Sequence, residues 1–127
     1  MALFDSRDGG RTWTKCRITS VGGCGYAVAL DARDSRVIYV GGSQQGRAAL
    51  YRSENGGADW RNITGSISGI VADLALDPRT SGTVYAGTPN GFFRSRNGGQ
   101  SWTFQNVKGG AKVTQVAERK WTTLGKV

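Results

Sequence analysis

Nine carboxylates and no histidine bound the chemistry open to this 127-residue chain. Without an imidazole there is no base to activate a serine or cysteine nucleophile. Two cysteines with neither histidine nor a second cysteine pair do not fill a tetrahedral metal site, so no metal and no cofactor is implied. What remains among side chains is acid–base chemistry between carboxylates, which needs two carboxyl groups close enough to act on one substrate. The acids available are Asp5, Asp8, Asp31, Asp34, Glu54, Asp59, Asp73, Asp77 and Glu118. Which of them can work together depends on the elements that hold them.

Those elements repeat. Nearly the same octet is written three times, as Ser6-Arg-Asp-Gly-Gly-Arg-Thr-Trp13, Ser53-Glu-Asn-Gly-Gly-Ala-Asp-Trp60 and Ser95-Arg-Asn-Gly-Gly-Gln-Ser-Trp102, at spacings of 47 and 42 residues. Such periods belong to repeat architectures. Asp8, Asn55 and Asn97 each precede a Gly-Gly pair, the combination that takes positive φ most cheaply in a tight hairpin. The serine and the Asp or Asn side chain can accept bonds from turn amides. Each Trp then falls in the outgoing strand, where its ring can be buried between packed sheets.

The intervening residues keep step. Ala29-Leu30-Asp31, Val37-Ile-Tyr-Val-Gly41 and Leu50-Tyr-Arg-Ser53 answer Ala75-Leu76-Asp77, Thr83-Val-Tyr-Ala-Gly87 and Phe92-Phe-Arg-Ser95. Short apolar or β-branched runs bounded by Gly, Pro, Asp or Ser are the rhythm of an all-β chain. Four strands per repeat are expected, the first near 26–31 and 71–76, the second near 37–41 and 83–87, the third near 49–53 and 91–95, and the fourth near 59–63 and 101–105. Landmarks place four extra residues of the longer repeat in 42–48. That insertion is either an elaborated binding loop or a tolerated surface loop.

The octets resemble the Asp-box, or bacterial neuraminidase repeat, Ser-x-Asp-x-Gly-x-Thr-Trp. Its fixed positions fall on Ser6, Asp8, Gly10, Thr12 and Trp13, on Ser53, Asn55, Gly57 and Trp60, and on Ser95, Asn97, Gly99, Ser101 and Trp102. The second and third copies put Asn for Asp, and the second puts Asp59 for the Thr. The resemblance reaches sialidases, xyloglucanase-type hydrolases, sortilin-like receptors and photosystem II assembly factors. It implies a β-propeller of four-stranded antiparallel blades in which the box joins the third and fourth strands, away from the substrate face. It also implies a partial ring: an outer half-blade over 1–20, blades over 24–64 and 69–106, and a partial inner half-blade over 111–127, with no second strand after the Lys112–Ala117 run. A ring takes roughly four to eight blades to close, so the chain is expected to be a fragment, to self-associate to complete the propeller, or to stand as an open monomeric array.

Within that frame the acids separate. Asp31 and Asp77 hold equivalent positions and read as turn caps, whereas Asp73 stands where the preceding repeat has Ala27. An inner-strand carboxylate that the repeat does not require is the candidate catalytic residue, or a ligand for a cation, a sugar hydroxyl or an arginine. The arginine cluster and Tyr-Glu pair that the sialidase resemblance would demand are not assembled, since Arg17-Ile18 is followed by Thr19.

A net charge of +8 comes from basic residues scattered through hairpins and outer strands, which reads as a solvated rim or as a surface for acidic glycans or membrane phosphates, and not as a specific nucleic-acid site. Trp121 is the one Trp outside the octets. No apolar run approaches the ~20 residues of a membrane helix, and the N-terminus has no signal-peptide core. Cys16 and Cys24 are a disulfide pair or two free thiols. A disulfide needs Cα atoms within ~7 Å and fits an exported parent protein, extracellular or periplasmic. The expected function is a binding scaffold for a protein or a carbohydrate ligand. The alternatives are a fragment of a glycoside hydrolase whose catalytic residues lie mostly outside the chain, and an assembly factor using the basic rim.

Overall fold

The computed structural model describes residues 3–6, 8–16, 25–105, 115–116 and 121–122. Among these described residues, twelve strands form four antiparallel sheets. The first is a pair, β1 (Leu3–Asp5) with β2 (Thr14–Cys16). A four-stranded sheet follows in sequence order: β3 (Gly25–Leu30), β4 (Ile38–Gln44), β5 (Arg47–Ser53) and β6 (Arg61–Asn62). A second sheet repeats it with β7 (Asp73–Leu76), β8 (Val84–Thr88), β9 (Gly91–Ser95) and β10 (Thr103–Gln105). A final pair joins β11 (Gln115–Val116) to β12 (Trp121–Thr122).

The apolar residues dictate this layering. The middle strands are buried along almost their whole length, Ile38 to Ser43 in β4 and Gly91 to Phe93 in β9, so neither of their faces is left to solvent. They therefore read as continuous Val, Ile, Tyr and Phe runs and not as alternation. The outermost strands are covered least, and Arg61, Asn62, Thr103 and Phe104 are exposed. Tyr39, Leu50 and Ile63 of one sheet pack with Val71, Leu74, Val84, Phe93 and Trp102 of the next and its approach. The two sheets meet through their inner strands, β3 and β4 against β7. Blades joined at their inner edges make a partial β-propeller.

Two expectations are corrected. The extra residues of 42–48 form no loop. Ser43 pairs with Ala48 and Gln44 with Arg47, two rungs beyond those of β8 and β9, and the hairpin closes at Gln45-Gly46 with φ of 52° and 75°. Both φ values are positive, as a type I′ turn requires, so the insertion lengthens a ladder. A strand does follow β11: Trp121 pairs with Val116, which places this Trp in a short partner strand. Cys24, Glu118, Arg119 and Lys120 lie outside the described residues, and the Cys16–Cys24 question with them.

Candidate functional site

The octets are held by their own side chains. In the second, Ser53 Oγ accepts the amides of Asn55 (3.3 Å) and Gly57 (2.8 Å) and donates to Asn55 Oδ1 (3.0 Å), which in turn accepts the amide of Asp59 (2.9 Å). The third copy repeats the set with Ser95, Asn97, Gly99 and Ser101. In the first, Ser6 Oγ accepts the amide of Gly10 and donates to Asp8 Oδ1, which accepts the amide of Thr12. Both glycines of every copy have positive φ, between 69° and 95°. The connection is thus a loop over the whole octet and not a two-residue hairpin, because β5 and β6 pair only beyond it, at Arg52 with Arg61. In the first copy the Thr12 hydroxyl, then the Thr12 amide, hold the Asp8 carboxyl below its ordinary range.

The three indoles part company. Trp102 is buried and donates to the carbonyl of Ile63 in the preceding blade at 2.8 Å. Trp60 is half-buried and donates within its own octet to Gly57 O at 3.0 Å. Trp13 does the same to Gly10 O at 3.1 Å, and it is 61% exposed. Burial between sheets therefore holds for Trp102 and does not hold for Trp13.

Turn amides join the second and third octets to the loop between the first two strands of their blades: Gly56 N donates to Arg36 O at 2.9 Å and Gly98 N to Gly82 O at 2.8 Å. These loops share one face of the propeller. On it, a cleft of about 270 Å³ opens between the blades, with Ala29, Leu30, Leu74 and Leu76 as apolar wall and Asp31, Arg33 and Asp77 as polar groups. Asp31 accepts the amide of Arg33 and Asp77 that of Arg79, each at 2.8 Å. Both carboxylates thus cap turns, as their repeat position implies, and both also line the cleft. Arg33 Nη2 crosses to the next blade and donates to Pro78 O (3.3 Å) and Arg79 O (2.7 Å). Repeat equivalence was the available signal: equal positions in successive blades lie side by side around the axis.

Asp73 stands at the other end of its strand. It opens β7, pairs with Gly87 and is half-buried. It does not line the cleft with Asp31 and Asp77. Among the described residues, no three of His, Cys, Asp and Glu are grouped to hold a metal, and no helix is long and apolar enough to cross a membrane.

The class defined by this architecture is the β-propeller, represented here by two complete blades and strand pairs on either side. Its resemblances to particular proteins are narrower. The chain is 40% identical over 62 aligned positions to an oligoxyloglucan-reducing end-specific xyloglucanase of Emericella nidulans, covering 43% of this chain and 8% of that protein. It is 30% identical over 89 positions to a xyloglucanase of a Paenibacillus species, covering 68% of this chain and 9% of that one. It therefore spans less than a tenth of either relative. No family model matches.

Among solved structures, an ancestral GH74 enzyme superposes with TM-score 0.66 at 19% identity, over 84% of this chain and 16% of that one. The GH74 xyloglucanase of Xanthomonas campestris does so with 0.65 at 22%, over 88% and 20%. YCF48 bound to a D1 peptide gives 0.67 at 18%, over 88% and 35%. At such identities the likeness speaks for the fold alone.

Proposed function

We propose that this chain is a segment of a propeller glycoside hydrolase of the xyloglucanase kind, and that it serves to hold a β-glucan chain across its blades. The observation that carries this reading is the sequence match to two xyloglucanases, which favours the hydrolase alternative over a general binding scaffold. In this reading the octets are Asp-boxes, set on the face opposite the substrate, and the blades are bounded as 24–64 and 69–106. Asp73, at the entry end of β7, is then the carboxylate offered toward substrate. A glycosidase needs a second one within about 5 to 9.5 Å, and this is supplied by further blades of the ring.

Native electrophoresis in gels cast with soluble xyloglucan tests the reading. Retarded migration relative to a mannan gel is expected, with weaker retardation for Asp73→Asn. Unaltered migration overturns it. A second reading, a peptide-binding scaffold, is favoured by the likeness to YCF48 in complex with a peptide. It predicts capture from a library of extended peptides with no response to xyloglucan.

A further inference from the structure

We infer that the corner built by the second octet is a separate subsite for a neutral glycan. The inference rests on the reading above and adds a site on the octet face, remote from Asp73. A cleft of about 210 Å³, small enough for a single sugar ring, is lined there by Arg52, Glu54, Asn55, Asp59, Trp60 and Arg61.

Three of these six depart from the repeat in a way the fold does not ask for. Where Glu54 stands, the other copies have Arg7 and Arg96; for Asp59 they have Thr12 and Ser101, and for Arg61, Thr14 and Thr103. The third octet shows that a hydroxyl suffices for the loop: Asn97 Nδ2 donates to Ser101 Oγ at 2.8 Å, and Ser101 N donates to Asn97 Oδ1 at 3.0 Å. In the second octet Asn55 Nδ2 reaches Asp59 Oδ2, also at 2.8 Å. The carboxylate closes the same loop and brings an additional acceptor oxygen to the cleft.

The mixture of groups selects the ligand. Two carboxylates face two guanidiniums, with Arg52 paired to Glu54 and Arg61 Nη2 at 3.7 Å from Glu54. The cleft therefore has no net charge to attract a phosphate or a basic peptide. It offers instead a dense set of planar donors and acceptors beside an aromatic ring, suited to a molecule that is polar on its edges and C–H-rich on its faces. The ring is fixed in advance: Trp60 Nε1 is committed to Gly57 O, and the indole packs against Ala49 and Tyr51. Arg52 is likewise fixed, by donation to Tyr39 Oη at 3.1 Å. Groups held before binding lose little freedom on binding.

The double variant Asp59→Ser with Arg61→Thr near-copies the third octet, so the loop is expected to stay folded. Its thermal melt should match wild type, while retention by soluble xyloglucan falls about tenfold, as expected for the loss of one or two hydrogen bonds. On wild-type protein, titration with xyloglucan oligosaccharides should shift the Trp60 indole N–H resonance and leave that of Trp102 in place. A variant retained as well as wild type, or a Trp60 resonance that does not move, overturns the subsite and leaves the hydrolase reading standing. Wild type that ignores xyloglucan overturns both. Preference for an acidic glycan, lost in salt, overturns the assignment to neutral sugars.

Discussion

Ile63 is where one blade meets the next. Its carbonyl accepts the Trp102 indole, its amide donates to Leu50 O at 2.8 Å, and its side chain fills the space in front of Gly99. Gly99 has φ of 89°, and a Cβ there would run into Ile63 Cδ1, whereas Gly9, at φ 75°, has nothing within 4 Å. The two glycines thus separate backbone strain from packing. Gly9→Ala should cost about 1–2 kcal/mol, the price of a left-handed alanine. Gly99→Ala carries that strain plus overpacking and should cost about 3 kcal/mol or more, read from urea denaturation midpoints. Asp8 makes a different residue-scale case, because it alone among the three Asx positions titrates. Its carboxyl is held below the ordinary value of 3.8 by Thr12. A folded value below the unfolded one contributes stability at pH above 3.8, and that contribution is lost as pH falls through the folded value. As pH falls through that folded value the amides of Arg11 and Thr12, which donate to Asp8 Oδ1, should lose hydrogen-exchange protection, while that of Ser101, held by Asn97 Oδ1, keeps its own. Equal loss in both octets would refute the assignment.

At the scale of elements, the hairpin of β4 and β5 shows what turn chemistry adds to a ladder. Gln45 is the one non-glycine residue with positive φ among the described residues, at 52°, and it sits at the first central position of a turn that favours Asn-Gly. Gln45→Asn should therefore raise stability by roughly 0.5–1 kcal/mol, seen as a higher melting temperature with the sheet spectrum unchanged. No gain would mean that the strain is compensated elsewhere, for instance by the bond from Tyr51 Oη to Gln44 Oε1 at 3.2 Å. This element also marks how far the sequence was legible. The strand runs and octets located both four-stranded sheets, because burial on two faces leaves a continuous apolar record in β4, β5, β8 and β9. The same record is blank on whether extra residues bulge or pair, since Gly42-Ser-Gln-Gln-Gly is polar in either case. The candidate site was less legible still. Asp31 and Asp77 announce a turn cap each, but their shared cleft is a property of neighbouring blades, and the corner at Trp60 depends on which octet residues are dispensable, visible only once the bonds of all three are known.

For the whole molecule, the blades are coupled by few long-range polar contacts, and Arg33 makes two of them. Its guanidinium leaves the loop of one blade and donates to Pro78 O and Arg79 O of the next, beside the apolar contact of β3 and β4 with β7. In repeat proteins stability is approximately a sum of intrinsic terms and nearest-neighbour interfaces, and cooperativity lives in the interfaces. Removing Arg33 should therefore loosen the coupling more than either blade. Arg33 is exposed, which discounts its two bonds, and Arg33→Ala is expected to cost about 1 kcal/mol. The sharper expectation concerns where that loss appears. Native-state hydrogen exchange should show the amides of β4 and β5 and those of β8 and β9 opening at a common free energy in the wild type. In Arg33→Ala they should open at two distinct ones, with protection inside each blade retained. A uniform fall across both sheets would place the bonds of Arg33 within the general stability of the fold and remove their role as a clasp between blades.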